Sequence, residues 1–330
     1  MAAATMAVGA GVGIVTAISG TSSRSSSDTT AAASPSTPTV VVSGLDGPTQ
    51  FTDGPGNWLL VAQLAGDEDA KTGQVLAVDP VADKRLTLLT GLDKPTGVAW
   101  LNGFIWVMER RRLVRSSWGG AGTKPGPIEV LVDDLPFNGR SEGTLTTTPD
   151  NRILYETTGS LSGGAVVPDS GTLWVFDPLT KMSTKVGTGL KNAYAHVFGP
   201  NGRLFTTEIG DNIDKAPVEE INEVHYAGPD TKAADYGWPR CPGDTRCKGV
   251  VTPTATFDPN ATPTGIAVDK TYAYVSLLVT GELRRVTLSN GAQLVLRTGL
   301  EGPHTVSLRP NGALWISEHF GDRIVAVSPP

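Results

Sequence analysis

The chain contains 330 residues and carries a net charge of -6 at neutral pH, with acidic and basic residues interspersed along its length. This charge pattern excludes the clustered basic surface that is typical of a nucleic-acid-binding protein. The 39 glycines, the 24 prolines and a hydrophobic fraction of 39% indicate a turn-rich protein with a large core, and a single all-β domain often reaches this length.

The beginning of the chain differs in composition from the rest. Residues 6–20 are apolar, uncharged and too short for a comfortable membrane span, and they match the core of a signal peptide without a preceding Lys or Arg. Residues 21–38 are rich in Ser, Thr, Ala and Pro, which is typical of a disordered linker. We therefore predict a targeting segment at 1–20, a linker at 21–38 and one folded domain at 39–330. The mature protein is then secreted, periplasmic or on the cell surface, with no stable membrane span.

From Val40 onward, a Gly-Leu phrase followed by a polar residue repeats. It occurs at Gly44–Asp46, Gly91–Asp93, Gly189–Lys191 and Gly299–Glu301, with degenerate copies at Leu135–Phe137 and Asn260–Thr262. Each copy is followed by a short strand, a tight turn such as Asn102-Gly103, a second strand with an aromatic residue, and further strands. Repeats of four short strands at a period of about 40–50 residues are typical of a β-propeller. We predict an all-β, six-bladed propeller with four-stranded blades.

The last repeat ends after its third strand, Arg323–Val327, and therefore lacks a fourth. The segment Thr39–Ser43, just before the first Gly-Leu phrase, has the pattern of the missing strand. We predict that it forms the outer strand of the last blade and closes the ring. A two-sheet sandwich is the alternative fold, and it leaves the repeat period unexplained.

In a propeller, the loop that leads into the innermost strand of each blade opens near the central axis on one face; we call these the leading loops. Alignment of the repeats places one residue of each loop in a common register: Thr49, Thr96, Glu142, Tyr194, Thr264 and His304. Just before them lie Lys94, Arg140, Lys191 and Asn192. This ring predicts a floor for an anionic, planar ligand, with His304 placed as a general base. His225 and His319 lie on later segments with no accompanying motif.

Two further features lie in the second half of the chain. The loop Glu208–Asn212 and the pair Glu219-Glu220 provide the oxygen ligands that Ca²⁺ prefers, although their spacing is not that of an EF-hand. Cys241 and Cys247 are the two cysteines, and they flank a Pro-Gly turn. We predict that they form a disulfide in an oxidising compartment, with two free thiols as the alternative.

Five motifs follow one another between Gly189 and Pro239. They are Gly189-Leu190-Lys191-Asn192, Pro200-Asn201-Gly202, Glu208-Ile209-Gly210-Asp211, Glu219-Glu220-Ile221-Asn222 and Asp235-Tyr236-Gly237-Trp238-Pro239. In this order, the stretch resembles the soluble quinoprotein glucose/sorbosone dehydrogenase family, whose six-bladed propellers bind pyrroloquinoline quinone and Ca²⁺ and oxidise aldoses. The resemblance therefore implies both cofactors and a small-molecule sugar or sugar-like substrate.

Carried over position by position, the resemblance implies two groups of site residues. The quinone contacts are Lys191 and Asn192, with Arg140 as a further cation of the ring. The active-site calcium takes backbone carbonyls from Gly210 and Asp211, and Glu220 supports a nearby calcium. In such a site, Ca²⁺ polarises the quinone carbonyl while a base removes the hydroxyl proton of the sugar.

The chain departs from the family at the position of the catalytic base. The family's catalytic His lies in the third leading loop, where this chain reads Asn138-Gly139-Arg140-Ser141-Glu142-Gly143. Lys191 stands where the family has Arg, which keeps the charge without the bidentate fork, and Val279 stands where a Lys is expected. We therefore expect that Glu142 or His304 acts as the base, or that the quinone reaction is lost on a retained scaffold.

Three functions follow from these observations. The first is an exported dehydrogenase that oxidises a sugar or sugar-like alcohol with pyrroloquinoline quinone and calcium. The second is a non-catalytic carbohydrate- or partner-binding propeller. The third is a calcium-dependent lactonase-type hydrolase, for which Glu142 and Asn192 are the residues placed near the axis.

Overall fold

The computed structural model describes residues 37–139, 142–210, 218–241 and 247–328, and every regular element in these ranges is a β-strand. The predicted targeting segment and most of the predicted linker lie outside the described residues, as do Arg140 and Asp211. Within the described ranges, no helix of the length and hydrophobicity required to cross a membrane is present.

The strands form six blades around a central axis, and in each blade the first strand is innermost. Blade 1 contains β2 (Pro48–Asp53), β3 (Leu59–Gln63), β4 (Gly73–Asp79) and β5 (Lys84–Leu92). Blade 2 contains β6 (Gly97–Leu101), β7 (Phe104–Met108), β8 (Leu113–Ser117) and β9 (Glu129–Val132). Blade 3 contains β10 (Thr146–Thr147), β11 (Ile153–Thr157), β14 (Thr172–Asp177) and β15 (Met182–Thr188), and a hairpin of β12 (Leu161–Ser162) and β13 (Ala165–Val166) projects from it.

The remaining blades follow the same order. Blade 4 contains β16 (His196–Phe198), β17 (Leu204–Glu208), β18 (Glu219–Val224) and β20 (Ala255–Phe257). Blade 5 contains β21 (Pro263–Val268), β22 (Tyr272–Leu277), β23 (Glu282–Thr287) and β24 (Gln293–Arg297). Blade 6 contains β25 (Pro303–Leu308), β26 (Leu314–Glu318) and β27 (Arg323–Val327). One short strand, β19 (Ala234–Asp235), joins the outer edge of blade 3 in parallel with β15.

Strand β1 (Thr39–Val42) closes the ring, because it pairs antiparallel with β27 at the outer edge of blade 6. Thr39 faces Ala326 and Val40 faces Val325 in this pair. The innermost strands of successive blades contact one another, including β25 and β2, which belong to the last blade and the first. The predicted six-bladed propeller, closed by an N-terminal outer strand, is confirmed, and the sandwich alternative is wrong.

The core is divided among the interfaces between neighbouring blades. Strand β7 shows how the sequence produces this division. Its Ile105 and Val107 pack with residues of blade 1, while Trp106 and Met108 pack with residues of blade 3. Successive side chains of a strand point to opposite faces, so a strand that is covered on both faces needs an unbroken apolar run. This requirement explains the unbroken apolar run of β7.

The Gly-Leu phrase makes the same contact in four blades, which we call the loop clamp. Its glycine adopts a positive φ, as at Gly91 (φ 73°), and the leucine that follows is buried. The backbone N–H of the third residue then donates to a side chain at the end of the second strand of the blade that the loop enters. These pairs are Asp46 with Gln63 (3.1 Å), Asp93 with Glu109 (2.7 Å), Lys191 with Glu208 (2.6 Å) and Glu301 with Glu318 (2.9 Å). The loop clamp thus fixes four of the leading loops to the blades that they enter.

Cys241 and Cys247 form a disulfide, and their Cα atoms are 6.2 Å apart, within the range of bonded cysteines. The bond lies in the segment between β19 and β20, at the outer side of blades 3 and 4. The predicted pairing is confirmed, and the alternative of two free thiols is wrong.

Candidate functional site

A cavity of about 510 Å³ opens at the face where the leading loops lie. Five of the six register residues line it, namely Thr49, Thr96, Tyr194, Thr264 and His304. They come from blades 1, 2, 4, 5 and 6, so the cavity lies on the axis. The sixth register residue, Glu142, does not line the cavity and is buried. The structure therefore brings together most of the ring that the sequence predicts.

The described lining of the cavity carries little net charge. Its one Lys or Arg is Lys94, and the ammonium of Lys94 forms an ion pair with Glu68, which also lines the cavity. Asn138 and Gly139 reach the cavity from the third leading loop, while Arg140 lies outside the described residues. Hydrogen-bonding groups without charge thus make up most of the polar surface that a ligand meets.

Four rings form a continuous row along one wall of the cavity, which we call the aromatic row. The ring centroids are separated by 5.3 Å between Tyr194 and His304, 5.8 Å between His304 and His319, and 5.1 Å between His319 and Phe320. Tyr194 and His304 are buried at the floor, whereas Phe320 is 68% exposed at the rim. The row therefore extends from the interior of the ring to solvent.

No sequence motif accompanies His319, and the structure places it between His304 and Phe320 in this row. His319 and Phe320 follow the second strand of blade 6 rather than a leading loop. The corresponding positions of other blades also reach the cavity, as Leu64 and Ile209 show. Alignment of the repeats at the ends of their second strands is the sequence signal that identifies these residues.

His304 is a weak proton acceptor in this environment. Its Nε2 lies 2.9 Å from the hydroxyl of Tyr194. Burial, with a smaller contribution from His319, lowers the pKa of His304 to about 3, and burial raises the pKa of Tyr194 above its usual range. Both side chains are therefore neutral at neutral pH. A neutral imidazole of such low basicity is better suited to form a hydrogen bond than to remove a proton from an alcohol.

Glu142 belongs to a group of buried carboxyls at the interface between blades 3 and 4. The hydroxyl of Thr158 lies 3.1 Å from carboxyl oxygens of both Glu142 and Glu156. Glu156 points toward blade 4, as Leu154 does, and the carboxyl of Glu208 approaches from the other side. Burial and neighbouring carboxylates raise the pKa of Glu142 and Glu208, and burial raises the pKa of Glu156 to about 8. Glu142 is thus placed to share protons within this group rather than to contact a ligand in the cavity.

Lys191 and Asn192, which the resemblance assigns to the quinone, lie in different environments. The ammonium of Lys191 donates to the carbonyl of Gly159 at 2.6 Å and lies 5.3 Å from the centroid of the Trp238 ring, outside the cavity lining. Asn192 lines the cavity, and its buried Oδ1 has no hydrogen-bond partner among the described residues. An orphaned carbonyl oxygen at a cavity wall is a natural acceptor for a ligand hydroxyl.

The residues assigned to calcium are only partly within the described ranges. Glu220 is buried and accepts a hydrogen bond from Asn222 Nδ2 at 3.1 Å, and the same Nδ2 donates to Glu208. Gly210 is the last described residue before the acidic loop, and Asp211 lies beyond it. Among the described residues, no three His, Cys, Asp or Glu side chains are arranged to hold a metal ion. Calcium binding therefore stays a prediction.

The buried carboxyls make the stability of the protein dependent on pH. Glu156 has a pKa of about 8 in the folded protein against an ordinary value of 4.5, so the folded state binds a proton more tightly than the unfolded state. This contribution to stability is present below pH 4.5 and is lost as the pH rises toward 8. Glu156→Gln removes this titrating group. We therefore expect the free energy of unfolding of the variant to decrease less steeply with pH, and the two slopes should differ by at most about 1.4 kcal/mol per pH unit.

Urea unfolding of Glu156→Gln at several pH values between 5 and 8 measures this slope. Glu129→Gln is the matched control, because hydrogen bonds from Lys181 and Arg115 lower the pKa of Glu129 and move its titration below this range. The control should keep the slope of the unaltered protein. If Glu156→Gln also keeps that slope, the pH dependence of stability does not come from a proton bound by Glu156.

Comparison with known proteins identifies the architecture. No protein family model matches the chain, and no curated protein matches its sequence. The chain is similar to the PQQ-bound form of aldose sugar dehydrogenase from Streptomyces coelicolor, with a TM-score of 0.70, 20% identity and coverage of 88% of this chain and 96% of that one. It is also similar to a calcium structure of the Carbohydrate-Active Enzymes Family AA12 protein from Trichoderma reesei, with a TM-score of 0.69, 15% identity and coverage of 88% and 95%.

A third solved structure with this fold has a different description. It is an auxiliary nutrient binding protein from Bacteroides thetaiotaomicron, with a TM-score of 0.56, 13% identity and coverage of 86% of this chain and 69% of that one. At identities this low, the likeness shows the fold alone. The resemblance to quinoprotein sugar dehydrogenases, which rests on fifty residues of sequence, is thereby confirmed as a shared architecture over most of the chain.

The charges of the described residues do not fit the implied quinone. Pyrroloquinoline quinone is a tricarboxylate, and carboxylates that leave water require cationic partners. The lining offers Lys94, which is already paired with Glu68, and a neutral His304. Lys191 directs its ammonium to the Gly159 carbonyl instead of the cavity. These residues therefore do not provide the positive charge that three carboxylates need.

Proposed function

We propose that the protein is an exported, carbohydrate-binding propeller that holds a sugar or sugar-like alcohol in its central cavity without oxidising it. The observation that carries this proposal is the character of the lining, which combines uncharged hydrogen-bonding groups with the aromatic row. Sugar hydroxyls need donors and acceptors at close range, and the C–H groups of the sugar ring pack against aromatic faces. The cavity offers both, with its single described ion pair at one edge.

Binding is favoured over catalysis because neither expected base is suited to its role. His304 is a weak base that already contacts Tyr194. Glu142 is buried among other carboxyls and does not line the cavity. For the same reason, Glu142 and Asn192 do not converge on one axial metal, as the lactonase alternative requires. Export is supported by the disulfide, since such bonds persist in oxidising compartments.

Quinone- and calcium-dependent oxidation of a sugar is the second candidate function. The observation that favours it is that Asn192, which the resemblance assigns to the quinone, lies at the cavity wall with a free Oδ1. In this case, Arg140 from the third leading loop would supply cationic charge, and Gly210, Asp211 and Glu220 would hold calcium. The bound quinone would supply the two-electron oxidation, while the propeller would orient the sugar and exclude water.

Calorimetric titration of the purified protein with D-glucose tests the first proposal. We expect saturable binding of glucose that Asn192→Leu weakens about tenfold, because the substitution removes a buried hydrogen-bonding partner. Asn201→Leu is the matched control, since Asn201 belongs to an exposed turn of the same blade, outside the cavity. The absence of sugar binding, or equal weakening by both substitutions, would overturn the proposal.

Reconstitution with pyrroloquinoline quinone and Ca²⁺ separates the two candidates. The first predicts no stoichiometric quinone binding at micromolar concentrations and no reduction of a redox dye when glucose is added. Holo-type absorbance together with glucose-dependent dye reduction would instead establish the second candidate and exclude a purely binding role.

A further inference from the structure

We propose that Phe320 is the platform on which the apolar face of a sugar ring stacks, so that the cavity selects cyclic pyranoses over open-chain polyols. This inference deepens the proposed function and rests on it. It assigns a ligand-contacting role to the turn between β26 and β27, which contains no part of the Gly189–Pro239 stretch.

The first argument is the position of Phe320. It is the one aromatic side chain among the large hydrophobic residues that are exposed in the described part of the chain, and it lines the cavity. Of the other three rings of the row, Tyr194 and His304 are buried and His319 is half-buried. A phenyl ring at the mouth of a polar cavity leaves a large apolar face in water, and a ligand that covers this face gains the corresponding hydrophobic stabilisation.

The second argument is that the ring has a shaped seat. A Cβ placed on Gly302 would lie 2.5 Å from Cδ2, 2.8 Å from Cε2 and 3.0 Å from Cγ of Phe320. The ring thus rests directly on the backbone of Gly302, and only a residue without a side chain leaves room for it. The N–H of His319 donates to the Gly302 carbonyl at 2.8 Å, and the N–H of Phe320 donates to the Glu301 carbonyl at 3.1 Å. Both the base of the side chain and one side of the ring are therefore held in place.

The third argument is that the cavity offers an apolar surface next to Phe320 and hydrogen-bonding groups across from it. His319 supports the ring of Phe320 edge-on, at an interplanar angle of 64°. Leu278 and Ile209 extend the apolar lining into blades 5 and 4. Lys94 and Asn138 line the cavity from blades 2 and 3, which lie across the axis from blades 5 and 6.

A pyranose ring matches this combination, because it presents hydroxyl groups at its edge and a patch of C–H groups on one face. The positive C–H groups are attracted to the negative face of an aromatic ring. An open-chain polyol carries the same hydroxyl groups but has no fixed apolar face. The geometry at Phe320 therefore favours the cyclic form.

The experiment compares D-glucose with its open-chain alcohol, D-glucitol, by calorimetric titration. The full-length protein should bind glucose more tightly than glucitol. Phe320→Leu keeps an apolar side chain but removes the aromatic face, and we expect it to weaken glucose binding about two- to tenfold while leaving glucitol binding unchanged. The substitution is at an exposed side chain, so the thermal unfolding temperature should stay the same.

A second pair of variants tests the seat of the ring. Gly302→Ala should weaken glucose binding as Phe320→Leu does, because the new methyl group displaces the ring. Gly299→Ala is the matched control: Gly299 also has a positive φ, of 73° against 63° at Gly302, but nothing lies within 4 Å of its Cβ position. Both variants place an alanine at a similar positive φ, so the displacement of Phe320 is the main difference between them.

The outcomes separate this inference from the proposed function. If the unaltered protein binds neither compound, the proposed function fails and this inference fails with it. If glucose binds but Phe320→Leu and Gly302→Ala bind it as tightly as the unaltered protein does, the platform is refuted and the proposed function stands. Equal loss of glucose and glucitol binding in Phe320→Leu would also refute selection by stacking.

Discussion

Gly265→Ala is expected to lower the thermal unfolding temperature by roughly 6–12 °C, which corresponds to a loss of about 3 kcal/mol. Gly265 lies in β21, the innermost strand of blade 5. A Cβ at this position would lie 2.3 Å from the carbonyl oxygen of His304 and 2.8 Å from the backbone nitrogen of Val306. Both atoms belong to the backbone of blade 6, so no side-chain rotation relieves the overlap. Blades 5 and 6 have to separate at the axis, where the core is close-packed.

The same substitution should disturb the cavity, because the displaced carbonyl belongs to a residue of its floor. We expect sugar binding to fall with stability, measured by calorimetric titration and by thermal unfolding followed with circular dichroism. Gly119→Ala is the control, since Gly119 is exposed and its Cβ position meets only the flexible side chain of Thr123, at 3.3 Å. An unfolding temperature of Gly265→Ala within 2 °C of the control would show that the blades can separate at little cost.

Deletion of residues 39–43 is the second change with a large expected effect. Strand β1 supplies the outer hydrogen bonds of blade 6 and buries Val42 in the cluster between blades 6 and 1. Loss of these contacts removes one buried aliphatic side chain and several backbone hydrogen bonds, or about 4 kcal/mol together. We expect an unfolding temperature lower by roughly 8–16 °C. The exposed edge of β27 should also promote association between molecules.

Thermal unfolding and size-exclusion chromatography measure the two consequences of this deletion. Deletion of residues 22–26, within the linker that the sequence predicts, is a control of equal length. The control should have the same unfolding temperature and the same elution volume as the full-length chain. If the deletion of 39–43 behaves in the same way, β1 contributes little to the closure of the ring.

The fold could be predicted from the sequence because the repeat encodes local contacts that recur. Gly91 requires a positive φ, Leu92 is buried, and the N–H of Asp93 is bound by Glu109 in the next blade. The same physical constraint acts at the four copies that keep the Gly-Leu phrase, so the period is visible without any knowledge of long-range contacts. The missing fourth strand of the last repeat then leaves Thr39–Val42 as its replacement.

The candidate site could be predicted only in part, because side-chain direction within a loop is set by contacts with residues outside that loop. Alignment of the leading loops correctly placed His304 and Tyr194 at the axis, since the backbone of each leading loop follows the repeat. It could not show that Lys191 turns to the carbonyl of Gly159, or that Glu142 is buried beside Glu156. Those contacts involve side chains that differ from one repeat to the next, so the repeat does not encode them. Phe320 was missed because the alignment considered the leading loops and not the turns after the second strands.

The position of β1 also determines which face of the propeller is free. Strand β27 starts just after the His319–Phe320 turn and runs away from the cavity, so Val327 lies at the far face. Because β1 is antiparallel to β27 and Thr39 pairs with Ala326, β1 begins at that far face as well. A fluorophore or surface linkage attached to either of these strand ends would leave the mouth of the cavity accessible. The protein can therefore be immobilised for sugar-binding measurements without blocking its ligand site.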